Sequence, residues 1–201
     1  PVVVTHWPDE VTLKGEHVVL APLTSKHTDH LIEAACDGEL HRLWYTTVPH
    51  PDNIAQEIER RLSLRAKGTM LPFAILTPDG KAVGMTTYMN IDAANKRVEI
   101  GSTWYRKSVQ RTPLNTECKL LLLQHAFEAL DCICVEFRTH HINVQSRRAI
   151  ERLGAKLDGV LRSHMMMPNG TIRDTAVYSI IAAEWPTVKA NLTWRLNAKP
   201  N

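Results

Sequence analysis

The hydrophobic pattern along the chain switches repeatedly between the two-residue period of a strand and the 3.6-residue period of a helix. Turn signals separate these segments, and Pro78-Asp79-Gly80 and Pro168-Asn169-Gly170 each predict a hairpin. The predicted strands cover 17–23, 71–77, 81–89, 97–105, 133–139, 155–167 and 171–182. The first predicted helix follows 24–25, and the others cover 52 to just before 68, 116–130, 143–153 and 184–196.

The segment 97–139 decides the predicted topology. A strand, a polar loop, a helix and a second strand form a crossover, so the two strands should be parallel in an otherwise antiparallel sheet. The sequence therefore predicts an α/β (α+β) fold with a mixed, mostly antiparallel central sheet and helices on both faces. We expect a single domain over 1–201, with its core at about 13–183 and a closing helix over 184–196.

Composition narrows the function classes. The 201 residues are 44% hydrophobic and 22% charged, which excludes a disordered chain. The net charge of +3 is too small to indicate nucleic-acid binding by itself. No apolar run approaches the ~20 residues of a membrane span, and the first residues lack the pattern of a signal peptide. We expect a cytoplasmic protein with no membrane partner and no direct contact with nucleic acid.

The four cysteines, Cys36, Cys118, Cys132 and Cys134, show no disulfide or zinc-site pattern. Cys132 and Cys134 would need two further ligands, and the nearest histidines follow on the same run, which cannot wrap a tetrahedral ion. We therefore expect no metal, and buried or half-buried thiols in a reducing compartment.

Basic residues mark one face of the second predicted helix, at Arg60, Arg61, Arg65 and Lys67. Such a face is typical of a solvated helix, and a binding patch for an anionic partner is the alternative.

The loop before the helix over 116–130 is the first candidate for chemistry. A strand that feeds a loop and then a helix N-terminus is suited to bind phosphate. Residues 109–117 contain no glycine and match neither a Walker loop nor a GxGxxG loop. From these residues alone, phosphate binding and a plain surface connection both stay open.

Four segments resemble the GNAT superfamily of acetyl-CoA-dependent N-acetyltransferases, and more narrowly its RimJ/RimL-type branch. They are the strand 98–104, the loop and helix start 110–119, the helix 143–155, and the closing hairpin and helix with 159–162, 173–175, 178–179 and 184–186. Two departures stand out. Pro113 and Asn115 occupy the family's glycine positions, and Ile150 replaces a tyrosine that many members use as general acid, whereas Ser146 matches a serine used within the branch.

The resemblance implies a site. Its catalytic residues would be Glu99, as the base that takes the proton of the acceptor amine, and Ser146, as the acid for the leaving thiolate. Acetyl-CoA would be bound by Thr103, Trp104, Tyr105, Gln110, Arg111, Thr112, Pro113, Leu114, Asn115, Thr116 and Asn143, the first three through backbone N–H groups that form an oxyanion hole. Trp44 and Tyr45 would shape the acceptor cleft, with no metal involved.

Each of these roles has an alternative. Glu99 can be a strand glutamate paired with Lys96 or Arg97, Ser146 can have a structural role in the first turn of its helix, and Trp44 can belong to the core.

The implied activity is transfer of the acetyl group of acetyl-CoA to a primary amine. The N-terminal amine of a protein, such as a ribosomal protein, is the first prediction for the acceptor. A small-molecule amine or amino acid is the alternative, and a non-catalytic acetyl-CoA-binding module is a third reading. The sequence leaves open whether the protein forms a homodimer.

Overall fold

A computed structural model describes residues 6–46 and 48–198, and an eight-stranded sheet is its central feature. The strands are β1 (Leu13–Lys14), β2 (Val19–Pro22), β3 (Met70–Leu76), β4 (Ala82–Asp92), β5 (Arg97–Tyr105), β6 (Cys134–His140), β7 (Lys156–Met166) and β8 (Ile172–Ile181). The helices are α1 (Thr28–Cys36), α2 (Ile54–Ala66), α3 (Pro113–Gln124), α4 (Val144–Arg152) and α5 (Trp185–Asn197).

The strand order is β1-β2-β3-β4-β5-β6-β8-β7, and β5 and β6 form a parallel pair between antiparallel neighbours. The predicted fold class and crossover are confirmed. The pattern did not predict β1, since two residues carry no readable period. It also placed the start of α3 three residues too late. A π-helical segment, His125–Ala129, extends that helix to the end of the predicted range.

Helices cover both faces of the sheet. On one face, Leu122 of α3 and Leu192 of α5 belong to a large apolar core that also contains Val98 and Ile100 of β5. On the other face, α1 and α2 pack over β3 and β4 in a smaller core. Its helical members are Leu31, Ala34, Ala35, Ile54 and Ile58. The second core does not include any residue of β6, β7 or β8, so part of that face carries polar groups instead.

Two expectations about side-chain exposure were wrong. Arg61 is only 1% exposed, because α2 turns it toward the sheet and Glu57 pairs with it across one helical turn. Cys36 is exposed at the end of α1, whereas the other three thiols are buried as expected. All four cysteines are free.

The N-terminal strands are anchored to α3. The buried carboxylate of Glu117 accepts hydrogen bonds from the backbone N–H groups of Glu16 (2.9 Å) and His17 (2.6 Å). This contact fixes the turn between β1 and β2 against the second turn of α3.

Within the described ranges, no helix is long and apolar enough to cross a membrane. Those residues also contain no group of three or more side chains suited to hold a metal ion.

Candidate active site

The parallel strands β5 and β6 separate partway along their length. They pair at Arg97↔Cys134, Val98↔Val135 and Glu99↔Glu136 and at no later position, although β5 continues to Tyr105 and β6 to His140. Beyond Glu99, the backbone groups on the facing edges of the two strands therefore do not hydrogen-bond to one another. The sheet opens there into a wedge that a linear ligand can enter between the strands.

A bulge in β5 lies beside this wedge. The register shifts so that Ser102 and Thr103 oppose the single residue Thr86 of β4, and Ser102 adopts a left-handed φ of 47°. Because of the extra residue, side chains after the bulge point to the opposite face of the sheet from the one that regular alternation would give them. Ile100 points into the core beneath α3, whereas Trp104 points into the core beneath α1 and α2.

Arg61 holds the bulge from the other side of the sheet. Its Nη2 donates a hydrogen bond to the carbonyl oxygen of Ser102 at 3.0 Å, and its Nε lies 2.9 Å from Glu57 Oε1. The (i, i+4) spacing of Glu57 and Arg61 on α2 predicts their ion pair, but no feature of the sequence predicts the contact with Ser102.

Glu99 lies at the last paired position, where the wedge begins, and is 3% exposed. Its Oε1 is 3.2 Å from Nε of Arg138, but the two groups are not aligned as a hydrogen bond. Burial raises the pKa of Glu99 to about 7, and the charge of Arg138 opposes that rise in part. A carboxylate with this pKa can exchange a proton near neutral pH.

The ion partners predicted for Glu99 were wrong. Lys96 forms its ion pair with Asp131, and Arg97 forms its ion pair with Glu136, so neither pairs with Glu99. Gly101 leaves the room that the Glu99 carboxylate occupies, because an added Cβ would lie 3.0 Å from Oε2 of Glu99 and 2.7 Å from Sδ of Met89.

The N-terminus of α3 provides the second part of the site. Pro113 is its first residue, and the N-cap residue Thr112 makes no side-chain capping bond. Pro113 has no N–H group, and the N–H of Asn115 donates to the carbonyl oxygen of Thr112 at 3.2 Å. The N–H of Leu114 and the positive end of the helix dipole are therefore left for an anion. Contrary to expectation, Pro113, Leu114 and Asn115 lie within the helix rather than in the loop. Proline at that first position removes an N–H that has no helical partner in any case.

Two loop residues set the approach to this helix. Gln110 donates from Nε2 to the carbonyl oxygen of Tyr105 at 3.2 Å, which ties the loop to the end of β5. Arg111 is exposed and has a left-handed φ of 58°, a conformation that glycine adopts more readily.

Lys119 on α3 lies at the candidate site, although the sequence analysis assigned it no role. Its Nζ lies 3.3 Å from Oγ1 of Thr103 and 5.9 Å from the ring centre of Phe137, so the side chain reaches from α3 to both separated strands. Burial lowers the pKa of Lys119. Its place at the end of the matched segment 110–119 was the available signal.

Asn143 and Ser146 lie at the start of α4. Asn143 is the N-cap, and its Oδ1 accepts a hydrogen bond from the backbone N–H of Ser146 at 3.1 Å. Ser146 is half-buried in the first turn. Because the capping bond uses its backbone N–H, its hydroxyl group takes no part in that bond.

Trp44 and Tyr45 meet edge to face, with ring centres 5.8 Å apart. Trp44 also lies 5.6 Å from the ring of His140, at the end of β6, and is 46% exposed. The alternative that Trp44 belongs to the core was therefore wrong. The segment lies where the sheet opens.

Comparisons with known proteins agree with this geometry. Residues 17–156 match the family described as Acetyltransferase (GNAT) domain. A protein of Bacillus subtilis (strain 168) named "Putative ribosomal N-acetyltransferase YdaF" is 32% identical over 107 residues, which are 53% of this chain and 57% of that protein. The match thus spans little more than half the length of that curated relative.

Solved structures extend the likeness to most of the chain. A GCN5-related N-acetyltransferase from Brucella melitensis is 33% identical, with a TM-score of 0.85, over 94% of this chain and 86% of that one. RimJ of Mycobacterium smegmatis, solved in complex with CoA-disulfide, shares the fold at a TM-score of 0.76 and 23% identity, over 95% of this chain and 97% of that one.

The chain belongs to the GNAT acetyltransferase family. It is an acetyltransferase, and members of this family use acetyl-CoA. Its likeness to a protein named as a ribosomal N-acetyltransferase supports the RimJ/RimL-type branch predicted from the sequence.

Proposed function

We propose that the protein transfers the acetyl group of acetyl-CoA to the N-terminal amine of a protein. The observation that carries the proposal is the wedge between β5 and β6, which begins at Glu99 and lies beside the uncapped N-terminus of α3. One opening thus joins an anion site to a carboxylate that can exchange a proton near neutral pH.

The residues present fit acetyl-CoA. The start of α3 offers the N–H of Leu114 and the positive end of the helix dipole to a pyrophosphate, and Arg111 adds an exposed cation at the same loop. The separated edge of β5 offers backbone groups to the amide-containing arm of the molecule. When bound, acetyl-CoA supplies an activated acetyl group whose thiolate leaves readily.

Glu99 acts as the base in this proposal. An amine must lose a proton to attack, and a carboxylate with a pKa of about 7 is well matched to take it. Because Glu99 is almost fully buried beneath Arg138, a water molecule carries the proton between the amine and the carboxylate.

Backbone N–H groups of Thr103 and Tyr105 stabilise the charge that develops on the reacting carbonyl oxygen. The bulge at Ser102 fixes the direction of these groups in advance, and Arg61 holds the bulge. The N–H of Trp104, also expected to take part, faces β4 instead, because Trp104 pairs with Met85 in the register in which Arg106 donates to Val83. Ser146, at the start of α4, donates a proton to the departing sulfur, a step that needs little help since a thiol has a pKa near 8.5.

The exposure of Trp44 favours a protein acceptor over a small amine. A closed pocket walled by Trp44 and Tyr45 would suit a small molecule, but Trp44 is 46% exposed and leaves that end of the site open. The likeness to a protein named as a ribosomal N-acetyltransferase points the same way.

A thiol-release assay tests the proposal. Acetyl-CoA is offered with peptides that differ in their N-terminal residue, and with a set of small amines and amino acids. We expect turnover on peptides, abolished when the N-terminus is blocked. Turnover on small amines alone would replace the protein acceptor. Binding of CoA, seen as 1:1 by calorimetry, without turnover on any amine would indicate a non-catalytic module.

A further inference from the structure

Three buried polar atoms along one face of β5 and β6 make no hydrogen bond in the described part of the chain. Glu99 Oε1 and Arg138 Nε lie 3.2 Å apart as a misaligned ion pair, whereas Nε2 of His140 has no partner. Arg138 and His140 are two residues apart on β6, so their side chains point to the same side of the sheet. Buried polar groups in native proteins are usually paired, so the unsatisfied Nε2 of His140 beside this ion pair points to a ligand or ordered water.

His140 offers a donor to this cluster. The ring is 5% exposed, and its Nδ1 accepts a hydrogen bond from the backbone N–H of Ile142 at 3.3 Å. That bond leaves the proton of the neutral ring on Nε2, the atom without a partner.

Arg173 on β8 supplies a positive charge that interacts with Glu99 through space but forms no salt bridge among the described residues. It lies on the same side of β8 as Thr175, which pairs in register with His140. Its Nε donates to Oγ1 of Thr175 at 2.9 Å. Among the described residues, no carboxylate lies within 4.0 Å of its guanidinium, whereas Arg138 lies near both Glu99 and Glu136.

We propose that Arg173, with the Nε2–H group of His140, binds a carboxylate that the acceptor carries close to its reacting amine. The amine then lies toward Glu99, on the same face of the sheet, and the carboxylate toward β8. Two sources share this chemistry: an acidic side chain next to a protein N-terminus, and the α-carboxylate of a free amino acid. The inference rests on the proposed function, since it concerns the acceptor of that reaction.

Matched acceptors test the subsite. One arm compares peptides that begin Ser-Glu and Ser-Gln, and the other compares serine with serinamide. We expect kcat/KM to favour the carboxylate member by about tenfold or more in the arm that supplies the natural source, since hydrogen bonds to charged groups are the strong ones. In Arg173→Gln this preference should fall to about twofold or less, while calorimetry shows unchanged affinity for CoA.

Arg162→Gln is the control variant, because Arg162 is an exposed arginine of the same hairpin and pairs with Asp174. It should keep the wild-type preference. Arg173→Lys retains the charge and should keep part of the preference, which separates loss of charge from loss of fold. Thermal melts of all variants check folding.

A wild-type protein that treats both members of each pair alike would overturn the subsite, as would an Arg173→Gln variant that keeps the preference. The outcome is distinct from failure of the proposed function. If no amine is acetylated, calorimetric binding of the same pairs to the CoA-bound protein still tests the subsite, and equal affinities there would also overturn it.

Discussion

The two sides of the wedge are built from different parts of the chain. The side proposed to bind the cofactor consists mainly of backbone groups: the first turn of α3 and the unpaired edge of β5. The side proposed to bind the acceptor consists of side chains, notably Glu99, Arg138 and His140. Binding by backbone groups depends on the path of the main chain, whereas binding by side chains depends on which residue types occupy the site.

This difference bears on the glycine-free loop. Pro113 and Asn115 stand at the family's glycine positions, and α3 begins at Pro113, so the positive end of its dipole still faces the loop. On the acceptor side, replacing Arg173 or Glu99 changes the chemistry directly. We therefore expect substitutions to have unequal effects on the two sides.

The largest effect should come from Glu99→Gln. Removal of the base should lower kcat by roughly 10²–10⁴-fold and leave CoA affinity nearly unchanged. Wild-type activity should fall as the pH drops below about 7, where Glu99 becomes protonated, and the variant should recover partly at high pH. Ser146→Ala should lower kcat by a smaller factor than Glu99→Gln does. Steady-state pH–rate profiles check this, with the remote Glu128→Gln as control. A Glu99→Gln enzyme near wild-type turnover at neutral pH would show that Glu99 is not the base.

Arg61→Met should reduce the free energy of unfolding by about 3 kcal/mol, since the Ser102 carbonyl loses its donor and Glu57 keeps only the half-exposed Arg60 as its partner. Denaturant unfolding measures the change. The double variant Arg61→Met/Glu57→Leu should regain part of the loss, because water can solvate the half-exposed Arg60 in place of Glu57. Equal stability of wild type and Arg61→Met would contradict a role for this contact in holding the bulge.

The pH dependence of stability should carry a signature of Glu99. Its pKa in the folded protein is raised, to about 7 from an ordinary value of 4.5, so the folded state holds a proton that the unfolded state has lost. Stability from this group is therefore complete below pH 4.5 and is lost as the pH rises to about 7. The total change is up to about 3 kcal/mol. Unfolding of wild type and Glu99→Gln between pH 4.5 and 8 measures the difference, which should shrink to nothing if Glu99 is solvated.

On the cofactor side the effects should be smaller. Arg111→Glu should weaken CoA binding by about three- to tenfold at low salt, because an exposed cation near a pyrophosphate becomes an anion. The difference should fade as salt is added. Calorimetry at two ionic strengths tests this, and an unchanged dissociation constant at low salt would mean that Arg111 points away from the ligand.

Pro113→Ala should have the smallest effect. It restores one N–H group at the start of α3, where proline already has the backbone angle that a helix needs. We expect CoA affinity to change by less than about threefold. A large gain would indicate that the missing donor limits binding.

The sequence predicted the sheet order around the crossover because local periods and turn residues decide it. The strand 97–105 agrees with the structure residue for residue, and both hairpins lie where Pro-x-Gly segments predicted them. The bulge at Ser102 could not be predicted, since it depends on the register with β4 and on a contact from α2. For the same reason, the sequence placed Arg61 in solvent.

The site was predicted unevenly. Glu99, the loop from Gln110 and the start of α4 were found because a resemblance carried them, and their roles remain predictions. Arg138, His140 and Arg173 were not found as a group, because they come together only through the pairing of β6 with β8. Neither residue spacing nor charge along the chain marks a cluster of that kind.

The anchoring of α3 by Glu117 bears on the thermodynamics of cofactor binding. Glu117 can reach the backbone of Glu16 and His17 only because Gly15 has no side chain; an added Cβ would lie 2.3 Å from the Glu117 carboxyl carbon. Folding itself thus immobilises the helix proposed to bind the phosphates, so little conformational entropy should be left to lose when CoA binds. Loosening this distant turn, for example by Glu117→Gln, should make CoA binding entropically less favourable without altering a single residue that contacts the ligand.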